Sequence, residues 1–323
     1  MTARYTLRPV TSPTQRPFLD ADLHGLQEVL SSWILEAGDL GYCHPGDLPH
    51  RIYNGIRGRF DLGDVVKLYE VNSTIVGVVV VQPSRNGFDA FTSPRYRGST
   101  LEANLIQQGY RITRQMLDAV GHVDQPAMAD AHHRDALRIS ALEASGFVRD
   151  SHTMNITEID VLARQEEPRL PLGFTVQPAK RGDSVGLAKV HNGAFGSNWT
   201  PEKYQQEVML KPGYQPGDEL VITALNGEFA AFAKTWLDPI NKVGLFQPVG
   251  VHADFHRKGL GKALMLYGLR HMEDQGMKTA LVCHKTDNPA SAALYQSIGF
   301  KTKHRVIDFA RPRHSLYVSS QRD

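Results

Sequence analysis

The densest chemistry in the sequence lies in His256-Arg257-Lys258-Gly259-Leu260-Gly261-Lys262, which leads into a stretch of helical periodicity. The first N–H groups of a helix have no internal partner and point outward. The helix dipole adds about half a positive charge at that end. Glycines let the backbone approach a phosphate closely. Arg257, Lys258 and Lys262 add full charges. A pyrophosphate fits such a cradle. Two familiar phosphate loops do not match. A Walker loop needs glycine where His256 stands and Ser or Thr where Ala263 stands. A dinucleotide fingerprint needs a third glycine where Leu264 stands.

The elements that must hold this cradle follow from periodicity. Residues 245–251 read as a strand running into the turn. After it, Leu260, Ala263, Leu264 and Tyr267 recur at i, i+3, i+4 and i+7, one face of a helix. The same succession occurs twice in the chain, and a duplication sets the fold before any local motif does. DELVITAL and EFAAFAKTW flank Asn226-Gly227, and VVKLYEV and TIVGVVVVQ flank Asn72-Ser73, so both halves carry a hairpin. GFTVQPA (173–179) is paired with RYTLRPV (4–10) as an opening strand. SALEASGF (140–147) is paired with AALYQSIGF (292–300). Between the halves, residues 164–172 carry two prolines and a charge cluster, as a linker does. This predicts a first domain over 1–163 and a second over 173–323.

About thirty residues after the cradle comes Asn288-Pro-Ala-Ser-Ala-Ala-Leu294-Tyr295-Gln-Ser-Ile-Gly299-Phe300. Together with His256-x-x-Gly259-x-Gly261 it resembles the GNAT superfamily of acyl-CoA N-acyltransferases. The hallmarks of that family are R/Q-x-x-G-x-G/A at a strand-to-helix turn and N-x-x-A-x-x-L-Y-x-x-x-G-F downstream. His256 departs from the usual Arg or Gln. The layout is similar to that of mycothiol synthase-like two-domain members. The resemblance implies an α/β fold of two tandem domains, each a mixed, mostly antiparallel sheet flanked by helices. It implies acetyl-CoA or another acyl-CoA as donor, a primary amine as acceptor, and direct attack in a ternary complex. The diphosphate would lie on residues 256–262. The pantetheine arm would lie along the fourth strand at Val249, Gly250 and Val251, with Asn288 beside it. One strand N–H would stabilise the oxyanion. Tyr295 would assist the departing thiolate, whereas its alternative reading is plain packing of helix on sheet.

The general base stays open. Two-domain members of the family can place a carboxylate on the fourth strand, but GLFQPVGV offers only Gln247, which is no base. His252, His284, Glu228 and Asp238 are candidates, each with an ordinary structural reading beside it. In the first half, Arg95 and Gly98 keep motif positions, whereas Thr100, Asp135 and Leu142 replace the second glycine, the asparagine and the tyrosine. That half is expected to be noncatalytic, either binding coenzyme A without turnover or shaping the acceptor cleft. An acyl-CoA-binding or sensing module without transfer is the rival to an enzyme. The acceptor is expected to be a small molecule or peptide, held by loops near 190–217 and 236–244.

Composition excludes other classes. Net charge is +2 with no basic stripe, which argues against nucleic acid as a partner. Cys43 and Cys283 are the only cysteines and give neither a disulfide framework nor zinc spacing. No run approaches the ~18 apolar residues of a membrane span, and MTARYTLRPV lacks a signal-peptide core, so the expectation is a cytoplasmic protein without a metal. His132-His133 reads as a solvated loop or helix start, and residues 311–323 as a frayed end. Oligomeric state is not legible.

Overall fold

The computed structural model describes residues 12–163 and 165–313. The segment 4–10, expected as a strand, and most of the tail 311–323 lie outside them. The first half contains β1 (Thr14–Pro17), α1 (Leu23–Ala37), α2 (Leu62–Val65), β2 (Val66–Val71), β3 (Thr74–Gln82), β4 (Gly87–Thr92), α3 (Thr100–Ala119), β5 (Ala127–His132), α4 (Ala136–Ala144) and β6 (Val148–Asp160). The second half repeats the order. It contains β7 (Phe174–Pro178), α5 (Ser184–Phe195), α6 (Pro201–Tyr204), β8 (Glu219–Ala224), β9 (Phe229–Asp238), β10 (Val243–Val251), α7 (Leu260–Asp274), β11 (Thr279–Lys285), α8 (Pro289–Ile298) and β12 (Lys301–Arg311).

All twelve strands form one open sheet, in the order β1-β2-β3-β4-β5-β12-β6-β11-β10-β9-β8-β7. Most neighbours are antiparallel; β4 with β5 and β10 with β11 are parallel. The halves exchange their last strands. Strand β6 of the first half pairs with β11 from Thr279↔Asp160 to Lys285↔Met154. Strand β12 of the second half pairs with β5 from Val306↔His132 to Arg311↔Ala127. The two exchanged strands then pair with each other at the centre.

Alternation along the strands divides the core between the two faces. Leu220, Ile222, Ala231 and Ala233 pack with Leu264 and Met272 of α7. Val221 and Phe232, one step out of phase, pack with Leu187 and Val190 of α5. Gly250 is glycine for this reason. A Cβ there would meet Phe232 at 2.7 Å and Ala194 at 2.9 Å, so its want of a side chain serves packing under α5. His132 is neither a loop residue nor a helix start. It ends β5, is buried, and stacks on His304 of β12 at 4.7 Å between ring centroids.

The His132 pair gives a pH prediction. Burial, and then the His304 charge, lower the His132 pKa to about 4. Its unfolded value is near 6.5. Between those values the unfolded chain binds more protons, so this stabilisation is complete above pH 6.5 and is lost as pH falls towards 4. Melting temperature across that window should therefore fall more steeply for the wild type than for His132→Gln. Parallel curves would refute this.

Candidate active site

The turn after β10 builds the cradle. His252 to Phe255 make a short 3₁₀ turn, and the His256 ring lies 3.0 Å from the Val251 carbonyl oxygen. Arg257 and Gly259 take left-handed φ angles of 59° and 77°. Gly259 caps α7, with open space where a Cβ would stand. The first-turn amides of α7, including Leu260, Gly261 and Lys262, therefore face outward without intrahelical partners. Gly261 packs against Leu294 of α8, where a Cβ would lie at 3.3 Å. Lys258 sits against the Phe255 and Phe174 rings. The Lys262 side chain is directed to Glu166 of the 164–172 segment, at 2.6 Å. Glu167 of that segment pairs with Arg270.

Strands β10 and β11 pair only from Val243↔Thr279 to Phe246↔Val282. Beyond Phe246 the ladder to β9 is also bulged, resuming at Val249↔Ala233, and the Gln247–Pro248 peptide is cis. β10 leaves β11 there, and a gap opens. His252 donates its N–H to the Ala230 carbonyl. Antiparallel alternation then turns Gly250 towards β9 and turns the N–H groups of Val249 and Val251 into the gap.

On the α7/α8 side of the gap stands Tyr295, buried and 5.7 Å from the His284 ring. Burial pushes its phenol up to about 12, with a hydrogen bond to Ser291 working the other way. At neutral pH it keeps its proton. Asn288 caps α8 by accepting the Ser291 N–H at 3.0 Å. Two of the candidate bases, Glu228 and Asp238, are engaged by neighbouring groups, whereas His252 and His284 each use one ring nitrogen. Glu228 pairs with Lys189 and Asn226 at an exposed hairpin tip. Asp238 accepts from the Ile240 and Asn241 N–H groups of its own turn. His252 accepts the Asp254 N–H. His284 Nδ1 lies 2.9 Å from the Lys285 carbonyl oxygen.

The corresponding turn of the first half is filled by its own side chains. Glu102, buried, accepts the Gly98 N–H at 2.6 Å, in the place an anion would take. Arg97 Nη2 holds Asp135, which caps α4 as Asn288 caps α8. Arg138, also buried, lies 3.9 Å from Glu102. Leu142, at the position of Tyr295, is pure core.

On the opposite face of the sheet lies a cavity of about 380 Å³ that spans the junction. Its floor includes His304 and Val306 of β12, Met154 and Ile156 of β6, and Leu281 and Cys283 of β11. It reaches the gap at Leu245 and Gln247. Its wall comes from residues 39–57 of the first half. Residues 190–217, expected to hold an acceptor, do not border it; they line a separate pocket of about 40 Å³ that includes His191, Tyr204 and Tyr214. From the other expected loop, Asp238, Asn241 and Val243 do contribute. Sequence reasoning missed Asp47, His50 and Arg51, which lie between the regular elements, and Asp89, Asp130 and Arg138, which sit on β4, β5 and α4.

Buried polar atoms without a hydrogen-bond partner cluster here. Asp47 Oδ1, Asn54 Oδ1, Arg57 Nε, Arg138 Nη1 and His304 Nδ1 all belong to residues of the cavity wall. Each such atom costs about 1–3 kcal/mol when nothing fills its valence. The lining carries six aspartates against four arginines. Burial lowers the pKa values of His44, His50 and His132, so these stay neutral. The cavity is therefore polar, with unpartnered acceptors and donors both on its wall. Among the described residues no group of His, Cys, Asp and Glu could hold a metal ion, and no helix is long and apolar enough to cross a membrane.

Residues 185–300 match the Acetyltransferase (GNAT) family. The mycothiol acetyltransferase of Streptomyces coelicolor is 32% identical over 141 residues, covering 42% of this chain and 45% of that protein. Thus the chain spans about half the length of that relative. The mycothiol acetyltransferase of Segniliparus rotundus is 26% identical over 245 residues, covering 73% of this chain and 90% of that protein. Among solved structures, a tandem GNAT protein from the clavulanic acid biosynthesis pathway superposes with a TM-score of 0.64 at 14% identity, covering 93% of this chain and 98% of that one. At that identity the likeness speaks for the fold.

Proposed function

We propose that this chain, which carries a GNAT acetyltransferase domain over residues 185–300 and belongs to that family, transfers an acetyl group from acetyl-CoA to a primary amine at the gap between β10 and β11. The observation that carries the reading is the arrangement at that gap. An open helix N-terminus and two strand N–H groups without ladder partners lie where β10 leaves β11, and a buried phenol stands on α8, the helix packed against α7.

In this reading the amides and charges of residues 256–262 take the diphosphate. Val249 and Val251 hydrogen-bond the pantetheine arm, with Gly250 serving the strand between them. One of these N–H groups faces the thioester carbonyl and stabilises the oxyanion as the tetrahedral intermediate forms. Asn288 borders the arm. Tyr295 donates to the sulfur as coenzyme A leaves. The amine enters from the opposite face, through the cavity, and attacks directly. Residues 1–163 act as a noncatalytic domain, 164–172 as a linker and 173–323 as the catalytic domain. The acceptor is a small polar amine or a peptide amine. A cytoplasmic location fits a donor of this kind.

Calorimetry with coenzyme A tests the reading. One equivalent should bind per chain, because Glu102 and its neighbours fill the first-half turn. Gly259→Val should abolish that binding. It forces a β-branched residue to φ near 77°, at a cost of about 1–2 kcal/mol, and crowds the cradle. Two equivalents would refute the closed first-half site. Undiminished affinity in the variant would refute the cradle.

A further inference from the structure

The strand carboxylate that would serve as base is missing from β10, and the nearby carboxylates Glu228 and Asp238 are engaged elsewhere. We propose that the first half supplies the proton acceptor, Asp47, and that its free carboxylate oxygen receives the acceptor's ammonium group. This inference rests on the acetyl-transfer reading above.

Three observations place it. First, Asp47 is 1% exposed, yet only Oδ2 is used, accepting from Arg51 Nε at 2.5 Å; Oδ1 is buried and without a partner in a wall of the cavity. A buried carboxylate oxygen left open is expensive unless a donor arrives to meet it. Second, the segment bearing Asp47 is docked on the catalytic half. His44 Nε2 lies 3.0 Å from the Val243 carbonyl oxygen, and Gly46 abuts Trp236, where a Cβ would lie 2.6 Å from the Trp236 Cβ. The Trp236 indole in turn donates to the Gln247 carbonyl at 2.6 Å, fixing the bulge where the gap opens. Third, Asp47 shares the cavity with Gln247 and with Cys283, the first β11 residue beyond its pairing with β10, whose thiol is held up at about 12 by burial and then by the Asp47 charge, with Arg51 working the other way.

The groups around Asp47 leave it suited to the task. Arg51 is shared with Asp89, whose carboxylate also accepts from Gln82, so one guanidinium serves two acids. Asp130 is matched by Arg85. His44 and His50 are neutral, and the His44 ring is occupied by Val243 and Gly46. A cation is therefore welcome at Oδ1.

The proton balance is simple. The acceptor enters as an ammonium, and Oδ1 takes one proton and frees the lone pair. Nitrogen attacks the thioester carbon and forms the C–N bond of the tetrahedral intermediate, which then collapses with cleavage of the C–S bond. Tyr295 gives its proton to sulfur and recovers one from the nitrogen. Asp47 returns its proton to water. The products are one amide, one thiol and one proton.

The test follows coenzyme A release from acetyl-CoA with 2-aminoethanol, glycinamide and glucosamine as probe amines, across the alkaline pH range. Asp47→Asn should lose about 100-fold in kcat/KM near neutrality, the ordinary share of a general base. It should recover about tenfold per pH unit towards the amine's own pKa, as free amine accumulates without help. Asp47→Glu should retain part of the activity, and acetyl-CoA affinity, read by calorimetry, should be unchanged in both variants. Activity of Asp47→Asn within threefold of wild type, or a uniform loss with an unchanged pH profile, would overturn the assignment. If Asp47→Asn does not fold, the assignment stands or falls on a crystal of the coenzyme A complex soaked in 2-aminoethanol, which should place nitrogen within hydrogen-bond distance of Oδ1. A wild type that binds acetyl-CoA and acetylates none of the amines would instead sink the transfer reading itself.

Discussion

Residues 164–323, expressed without residues 1–163, should fail to give a folded, coenzyme A-binding protein. Strand β11 would lose β6 along its whole paired length, and the second core would lose Ile159 and Val161, both buried in it. Each such side chain contributes about 1.5–3 kcal/mol on burial. The edge left behind would be an invitation to aggregate. Against a typical total of about 5–15 kcal/mol, these losses decide the outcome. The first half is no better placed alone, since β5 would lose β12, and Phe309 would leave the first core. The two fragments produced together should associate one to one and recover coenzyme A binding. A lone 164–323 fragment with wild-type affinity would show that the exchange is dispensable.

Tyr295→Phe should lower kcat by about 100-fold or more, in the range of an acid contribution, with acetyl-CoA affinity within about threefold. Phenylalanine keeps the ring contacts to His284 and Phe300 and gives up only the hydroxyl. If Tyr295 merely packed helix against sheet, the exchange would leave turnover intact. Stopped-flow detection of the released thiol separates the two, because a packing defect would appear in stability and not in the chemical step.

Local order made much of this architecture legible from residues alone. The duplicated succession, the hairpins around Asn72-Ser73 and Asn226-Gly227, and the strand ahead of Gly259 depend on period and turn chemistry within one segment. The equivalence of Asp135 and Asn288 was legible too, and both prove to cap their helices, α4 and α8. The strand exchange was not legible, because β6 and β12 carry similar patterns and nothing in either says which neighbour it joins. Glu102 was hidden because a glutamate in the first turn of a helix is ordinary. The cavity escaped because its wall is assembled from residues 39–57, whose polar side chains have no period. One π-helical turn, His50–Asn54, presents several of them at once. Residues 190–217, one of the two segments expected to hold an acceptor, pack Trp199, Tyr204 and Tyr214 under the sheet and line the smaller pocket instead of this cavity.

The crossed-over end strands tie the fate of each copy to the other. A substitution deep in the first half, far from any thioester, should surface as lost acetyl transfer, since what it melts includes the strand bordering the catalytic gap. A first half without a working site of its own would thus persist, held in place by a neighbour that cannot stand without it.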